Sequence, residues 1–404
     1  MAGCLSPSTQ AGLVRLGAWM PFARAADEVA HFWRVRVSGS SARRHTEAAG
    51  GAYVAVQTAA AAALAQDAGA CPAATLGPPR QFLSADGAMV PLRGGEWAEV
   101  KTLAVGTLPA APDAATPGRT TELSYFSRLA DAATFADLAV VETHRRGVPT
   151  AGTVVAVTDG SAWLQGFIDA HRPDAVRILD FPHAVEHLTA AAQTTFGAGG
   201  DMARCWVAAQ AHTLKHGDPM AVLLALLDLP VRAAPAPPAA AAARRATLRY
   251  LAARWDAIQY ATFLAAGYPI GDGAIESANK RLPEARLKGS GMRWARANVD
   301  PMLALRTVVA NDRWDEAWTQ VRAHTRRLTA AQRQHRRQTR QAAAPPPHTP
   351  TVLPAAPAPP PPPRAPRHTG AIPALRPERA RRPHPWSYQA RLNARSFPTA
   401  RANF

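Results

Sequence analysis

Cysteine is scarce in this chain: Cys4, Cys71 and Cys205 are the only three in 404 residues, widely separated and with no CxxC pair. Such spacing argues against a disulfide framework or a cysteine zinc site and fits a reducing compartment. No run of about 18 apolar residues is present, and the N-terminus lacks a basic segment followed by an apolar core, so neither a membrane partner nor a secretory leader is expected and the expected location is cytoplasmic. Acid is in short supply as well, with 29 Asp and Glu against 46 Lys and Arg and a net charge of +17. The excess is uneven. From Val321 to Phe404 sixteen arginines face a single acid, Glu378, with no lysine or aspartate, so this stretch holds +15 of the total and the remainder is nearly neutral.

A length of 404 residues suits two or three domains. The Ala/Pro run from Ala342 to Pro363 lacks the apolar periodicity that a packed core needs, and a disordered basic tail over 331–404 is expected. A mobile basic arm of this kind binds nucleic acid chiefly by neutralising phosphates and releasing counterions. At the other end, 1–76 reads as helical. One helix starts near Pro21 and runs to Trp33, and a second is capped by Ser40 or Ser41 and bears Arg43, Arg44 and His45. The pair resembles a helix-turn-helix whose second helix enters a major groove; a helical hairpin packed on the core is the alternative.

Between these ends the pattern is α/β. Arg80–Thr107 alternates apolar and polar residues around Gly94-Gly95, which predicts a β-hairpin whose first strand is interrupted at Asp86-Gly87. A Pro/Ala/Thr loop over Leu108–Thr121 and a helix from about Phe126 to Arg146 follow. Val155–Leu188 then reads as a strand ending on Asp159, a helix over Trp163–Ala170, and a strand ending on Asp180 with His183 just beyond. A carboxylate at the C-terminal end of a buried strand, beside a turn glycine such as Gly160, is where an open sheet presents its chemistry. Alternating strands and helices after an antiparallel hairpin predict a mixed sheet with helices on its faces over 77–182. The stretch 183–266 reads as an all-α insertion, broken at Gly197–Gly200, Gly217–Pro219 and Pro230–Pro238. The stretch 267–330 returns to the core, with Glu276 in the first turn of a helix and Lys280 one turn on.

Three acids on three elements, Asp86, Asp159 and Glu276, form the pattern a two-metal phosphoryl-transfer site needs. Two Mg²⁺ (or Mn²⁺) ions about 3.5 to 4 Å apart clamp the entering and leaving oxygens at phosphorus, and such ions take hard oxygen ligands. Beyond Glu276 the residues Lys280, Arg286, Lys288 and Arg293 with Trp294 make a basic, glycine-punctuated stretch. Cations of this kind contact phosphates while an indole stacks on an unpaired base. A solvated helix face with a core tryptophan is the plain alternative. Trp163, Trp206 and Trp255 occupy apolar helical positions and are expected in the core. His183-Ala-Val-Glu186-His187 also spells H-x-x-E-H, the inverted zinc-protease signature, a five-residue pattern short enough to arise by chance.

The segments TDGSAWLQGFIDAHRPDAVRILDFPHAVEHL, GYPIGDGAIESANK, ARLKGSGMRW and NVDPMLALR together resemble the ISKra-type insertion-sequence transposases, a bacterial branch related to Mutator-like DDE elements, over about Leu5–Trp318. The resemblance implies a ribonuclease-H-like core with a helical insertion before its last acid. It implies Asp86, Asp159 and Glu276 as the metal-binding triad, and Asp180 with His183 as the D-x-x-H element that orients DNA or the scissile phosphate; a histidine that merely caps the insertion helix is the alternative. It also implies DNA as substrate and partner, a nucleoid-associated location, assembly as a homo-oligomer on DNA, and no small-molecule substrate. Three departures stand out. A cysteine-containing N-terminal segment usual in the family is missing, with Cys4 as a remnant; Asp272 stands where Ser is usual; and Pro283 falls inside the helix that Glu276 begins. Those departures leave a second expectation, a degenerate DNA-binding remnant that does not cut.

Overall fold

The computed structural model describes residues 5–66, 75–109, 119–229 and 238–342. The expected tail therefore lies outside the described residues except for its first part, as do Cys4, Cys71, most of the Leu108–Thr121 loop and the Pro230–Pro238 break.

Three helices open the chain: α1 (Pro7–Trp19), α2 (Phe22–Trp33) and α3 (Gly39–Gln66). Ser6 caps α1 by accepting from the Thr9 amide at 3.1 Å, with Pro7 at the first helical position, where its missing N–H costs nothing. The cap of α3 is Ser38, which accepts from the Ser41 amide at 3.1 Å, rather than Ser40 or Ser41. This helix is much longer than a recognition helix and forms the hub of the N-terminal packing. Gly50 crosses α13 (Val299–Ala310) so closely that a Cβ would lie 2.2 Å from the Pro301 carbonyl oxygen. Gly39–Ala65 is the one described stretch long and apolar enough by length and composition to cross a membrane; here its Ala49 and Tyr53 are packed among other helices.

The sheet follows: β1 (Arg80–Pro91), β2 (Trp97–Thr107), β3 (Thr121–Arg128), α4 (Ala132–Arg145), β4 (Thr153–Thr158), α5 (Ala162–His171) and β5 (Val176–Leu179). Its order is β3-β2-β1-β4-β5, with β1, β2 and β3 antiparallel and β4 and β5 parallel to β1. Gly94 and Gly95 carry φ of +85° and +88° at the hairpin turn, a conformation that favours glycine. Two expectations change. The first strand is continuous through Asp86-Gly87, because Gly87 pairs with Lys101 and leaves room for the Glu99 side chain, which an added Cβ would meet at 2.1 Å. Residues 121–128, expected as loop and early helix, form an edge strand; Asn311 accepts from the Tyr125 amide at 2.8 Å and donates to its carbonyl at 2.9 Å, covering part of that edge.

Helices cover both faces. Leu83, Ala85, Leu103, Val154 and Ala156 pack against Phe135 of α4 and Leu164 and Phe167 of α5. Phe82, Ala104, Val155, Val157 and Ile178 face the helices beyond β5. These are α6 (Phe181–Phe196), α7 (Asp201–His216), α8 (Pro219–Leu227), α9 (Pro238–Ala252) and α10 (Tyr260–Ala265), the expected helical insertion, followed by α11 (Gly273–Asn279). Trp163, Trp206 and Trp255 are half-buried against these two clusters.

Pro283 does not end the helix. The chain widens into a π-helical turn over Lys280–Glu284, closed by the Ala285 amide donating to the Lys280 carbonyl, and continues as α12 (Ala285–Leu287). The fully buried Arg306 of α13 (Val299–Ala310) donates to the carbonyls of Arg281, Leu282 (2.6 Å) and Ala18 (2.8 Å), holding the irregular turn against α1. The last element, α14 (Trp314–Ala342), extends helix through 331–342, where the tail was expected to begin.

Candidate active site

The sheet register sets the site. In the parallel pair of β1 and β4, Leu83 stands opposite Ala156; three residues on, the two strands deliver Asp86 and Asp159 to neighbouring positions. In the pair of β4 and β5, Thr158 stands opposite Leu179, so Asp159 and Asp180 follow at the next level. Across β2 and β3 the same row continues with Thr102, opposite Asp86, and Ser127, whose hydroxyl donates to that of Thr102 at 3.1 Å. One polar row thus crosses the sheet, and three of its members are carboxylates at adjacent positions on parallel strands.

Asp86 is half-buried and accepts a 2.8 Å hydrogen bond from the Asn279 amide of α11. Burial raises its pKa, the Asp159 charge adds to the rise, and hydrogen bonds from the Gly87 amide and Asn279 oppose it. The carbonyl oxygen of Asn279 is buried with no partner, leaving a spare oxygen beside Asp86.

Asp159 is fixed by its turn and by the insertion. Its carboxylate accepts from the Ser161 amide at 2.7 Å, and Gly160 has φ +76°. The Tyr250 hydroxyl of α9 donates to the Asp159 carbonyl at 2.5 Å, and Arg254 donates to the Gly160 carbonyl at 2.7 Å while lying 3.9 Å from the Tyr250 ring centre. A side chain at position 160 would collide with Arg254, since a Cβ there would sit 2.3 Å from Nε. His187 stacks on Tyr250 at 3.7 Å, and burial, followed by the charges of His183 and Arg254, lowers its pKa. Burial pushes Tyr250 up to about 12, so its hydroxyl stays a donor.

Asp180 is buried and caps α6, accepting from the His183 amide at 2.9 Å with one oxygen and from the Asp272 amide at 2.9 Å with the other. Asp272 is buried beside it. Burial, then the charges of Asp180, Asp86 and Glu276, push Asp272 up to about 8, and its side-chain contact with Asp180 adds to the rise. Burial raises Asp180 as well.

The expected catalytic residues are therefore brought together in part. Asp86 and Asp159 are neighbours within the row, and Asp180 ends it on β5. Glu276, on α11 above, is exposed and lies 3.5 Å from Lys280; its charge bears on Asp180 and Asp272. His183 sits in the first turn of α6, 3.5 Å from Glu186. Among the described residues no group of three or more His, Cys, Asp or Glu is placed to hold a metal ion.

For a divalent cation the fit rests on Asp86 and Asp159. Two carboxylates side by side, one resisting ionisation because it is buried and, less strongly, because of the other's charge, with a spare amide oxygen alongside, make an all-oxygen donor set suited to a hard ion. Sequence reasoning missed Asn279, Tyr250 and Arg254. Asn279 was accessible in principle, lying one turn beyond Glu276 and two beyond Asp272 on one helical face, whereas Tyr250 and Arg254 meet Asp159 only through the tertiary fold.

Of the expected DNA-binding residues, Arg43 and Arg44 are exposed near the start of α3, with Arg44 donating to Ser41 at 3.1 Å. Lys288 is held by Glu284 at 2.6 Å. Arg43, Arg286, Arg293 and Trp294 converge on one cavity.

Compared with protein-family models and with curated proteins, the chain matches none.

Proposed function

We propose that the chain is a DDE-type transposase that cuts and joins DNA strands at the ends of its own element. The observation that carries this reading is the register that delivers Asp86 and Asp159 side by side at the ends of two parallel strands, beneath a helix presenting Asn279 and Glu276. An antiparallel meander running into parallel strands, with a helical insertion between Asp180 and Glu276, supports the ribonuclease-H-like reading of the sheet.

Asp86 and Asp159 would hold divalent Mg²⁺ or Mn²⁺, with Glu276 completing the set once it leaves Lys280. The ions supply the positive charge that steadies an entering and a leaving oxygen at phosphorus. The chain's own groups do the positioning. Tyr250 and Arg254 lock the Asp159-Gly160 turn, and Asn279 orients the Asp86 carboxylate. His183 and Asp180, at the start of α6, would orient a phosphate or attacking hydroxyl. DNA is the partner this chemistry requires, from which a nucleoid-associated location follows. Bringing two DNA ends together calls for more than one copy of the chain.

The Glu276–Lys280 pair and the Asp180–Asp272 contact favour a second reading, a remnant that binds DNA without cutting it. One assay separates the two. On DNA carrying the repeats that flank its gene, the wild-type chain nicks with Mg²⁺ or Mn²⁺, and Asp159→Asn lowers the nicking rate by on the order of a hundredfold to a thousandfold while leaving DNA binding unchanged. Binding without nicking by the wild type establishes the remnant.

A further inference from the structure

Arg286 of α12 is buried, 3% exposed, yet it has almost no polar partner. Its guanidinium lies between two aromatic rings, 4.7 Å from the centre of Phe22 and 5.0 Å from that of Trp294. Among the described residues the one polar contact is a 3.6 Å approach of Nη1 to the Met292 sulfur; Nε and Nη2 find no acceptor there, and neither does the indole N–H of the buried Trp294. Burial alone pulls the guanidinium down to about 10, with no carboxylate opposing the shift. The contrast with Arg306 is direct, because that buried arginine gives its N–H groups to three carbonyls and acts as a structural tie. A buried guanidinium without acceptors destabilises a fold unless something else supplies them.

Arg286 and Trp294 line a cavity of about 340 Å³ between the start of α2, the hairpin turn and the loop before α13. Arg43, Arg93 and Arg293 stand around it, all three exposed. The single acid in its wall, Glu47, is already engaged: it accepts from Asn298 at 2.8 Å and lies 4.0 Å from Arg43. The walls are fastened rather than loose. Trp294 pairs with the end of β1, its amide donating to the Pro91 carbonyl at 3.2 Å and its carbonyl accepting from the Arg93 amide at 2.9 Å.

We propose that this cavity is a phosphate-binding site, in which the free N–H groups of Arg286 and the indole N–H of Trp294 bind the phosphate oxygens and Arg43, Arg93 and Arg293 neutralise the remaining charge at its mouth. Planar donors in a fixed fork, buried and backed by aromatic rings, suit the oxygens of a phosphate and discriminate against monatomic anions. The site stands on its own geometry. Identifying its phosphate as part of a DNA strand rests on the transposase reading, and the placement suits it: Asn279, on Asp86, and Arg286 are seven residues apart along a nearly continuous helix, about 10 Å. A strand held at the acids would cross the cavity a few nucleotides away.

The test uses the full chain and its Arg286→Met variant. Thermal melting is followed with inorganic phosphate or chloride at equal ionic strength, and binding of a fluorescent single-stranded oligonucleotide is followed across a salt series. Phosphate is expected to raise the wild-type melting temperature more than chloride does, and Arg286→Met, which melts no lower than wild type without phosphate, is expected to lose that increment. If the phosphate belongs to a strand, the variant also binds the oligonucleotide about tenfold more weakly, with a salt slope smaller by about one. Loss of the phosphate increment with unchanged oligonucleotide binding supports the site and assigns it to a small phosphorylated molecule. Equal phosphate shifts in wild type and variant, or none in either, overturn the proposal. Should Arg286→Met fail to fold, Arg293→Gln at the exposed mouth carries the test, with an expected loss of threefold or more in phosphate affinity; no loss overturns it. Nicking is scored separately, so failure of this site leaves the assignment of Asp86 and Asp159 untouched.

Discussion

The acidic end of the sheet and the arginine cavity are opposite in sign and alike in one respect: each gathers charge without supplying its counterpart. At the ends of the parallel strands burial raises the proton affinities of Asp86, Asp180 and Asp272, and the charges of neighbouring carboxylates add to the rise. In the cavity Arg286 is buried with no acid to meet it. Elsewhere the same chain pairs its buried charges well. Glu142 of α4 accepts two hydrogen bonds from Arg313, at 2.7 and 2.9 Å, with both side chains largely buried. Folding does not by itself select unpaired charge in two places while solving the problem in a third, and unpaired, displaced titrations cluster where ligands bind. What separates scaffold from site is whether the buried group's hydrogen bonds are met, as they are at Arg313 and Arg306 and are not at Arg286.

The largest effect on stability should come from the paired example. Arg313→Met leaves Glu142 buried and uncompensated and is expected to cost about 3–5 kcal/mol in denaturant unfolding, with DNA binding at the cavity unchanged in the surviving folded fraction. A cost below about 1 kcal/mol would show that burial and bidentate geometry do not mark scaffold here. Next comes the turn that carries Asp159. Gly160→Ala combines a left-handed φ of +76° with a collision against Arg254, and about 1–3 kcal/mol of stability should be lost together with Mg²⁺-dependent nicking. Full nicking activity in that variant would show that the Tyr250 and Arg254 clamp is not needed to position Asp159.

A smaller, pH-dependent effect should come from Asp272. Its folded pKa of about 8 lies above the ordinary 3.8, so the native state holds a proton that the unfolded chain releases. Stability from this group is complete below about pH 4 and is lost as the pH rises toward 8. Asp272→Asn keeps the shape without the titration. Its melting temperature relative to wild type should therefore climb between pH 4 and pH 8, and a difference that stays flat with pH would mean that Asp272 ionises freely in the folded protein.

How much of this was legible beforehand depends on whether the signal was local. The hairpin around Gly94-Gly95, the strands ending at Asp159 and Asp180, and the insertion helices follow from alternation, turn glycines and helical periodicity, all properties of a short window. Residues 121–128 were misassigned because TELSYFSR is short, follows a Pro/Ala loop and leads straight into a helix, and its strand identity comes from pairing with β2. Asp86 and Asp159, singled out from the pattern of acids and from the resemblance, stand at matching levels of the parallel pair β1 and β4. Glu276 was placed on the right helix, but the local rule that sets it near Lys280 also predicts the ion pair that holds it at the rim. Pro283 looked like a break because the π turn and its support from Arg306 are tertiary. The lack of partners around Arg286 was invisible for the same reason: a sequence shows which groups are present, not which are left unpaired.

The most direct measurement is Mn²⁺ binding to the full chain by electron paramagnetic resonance, in wild type and in Asp86→Asn and Asp159→Asn. The account predicts bound Mn²⁺ in the wild type, displaced by excess Mg²⁺, and loss of that signal in either variant with folding intact. Equal Mn²⁺ binding in all three proteins, or none in the wild type with or without DNA, would contradict it.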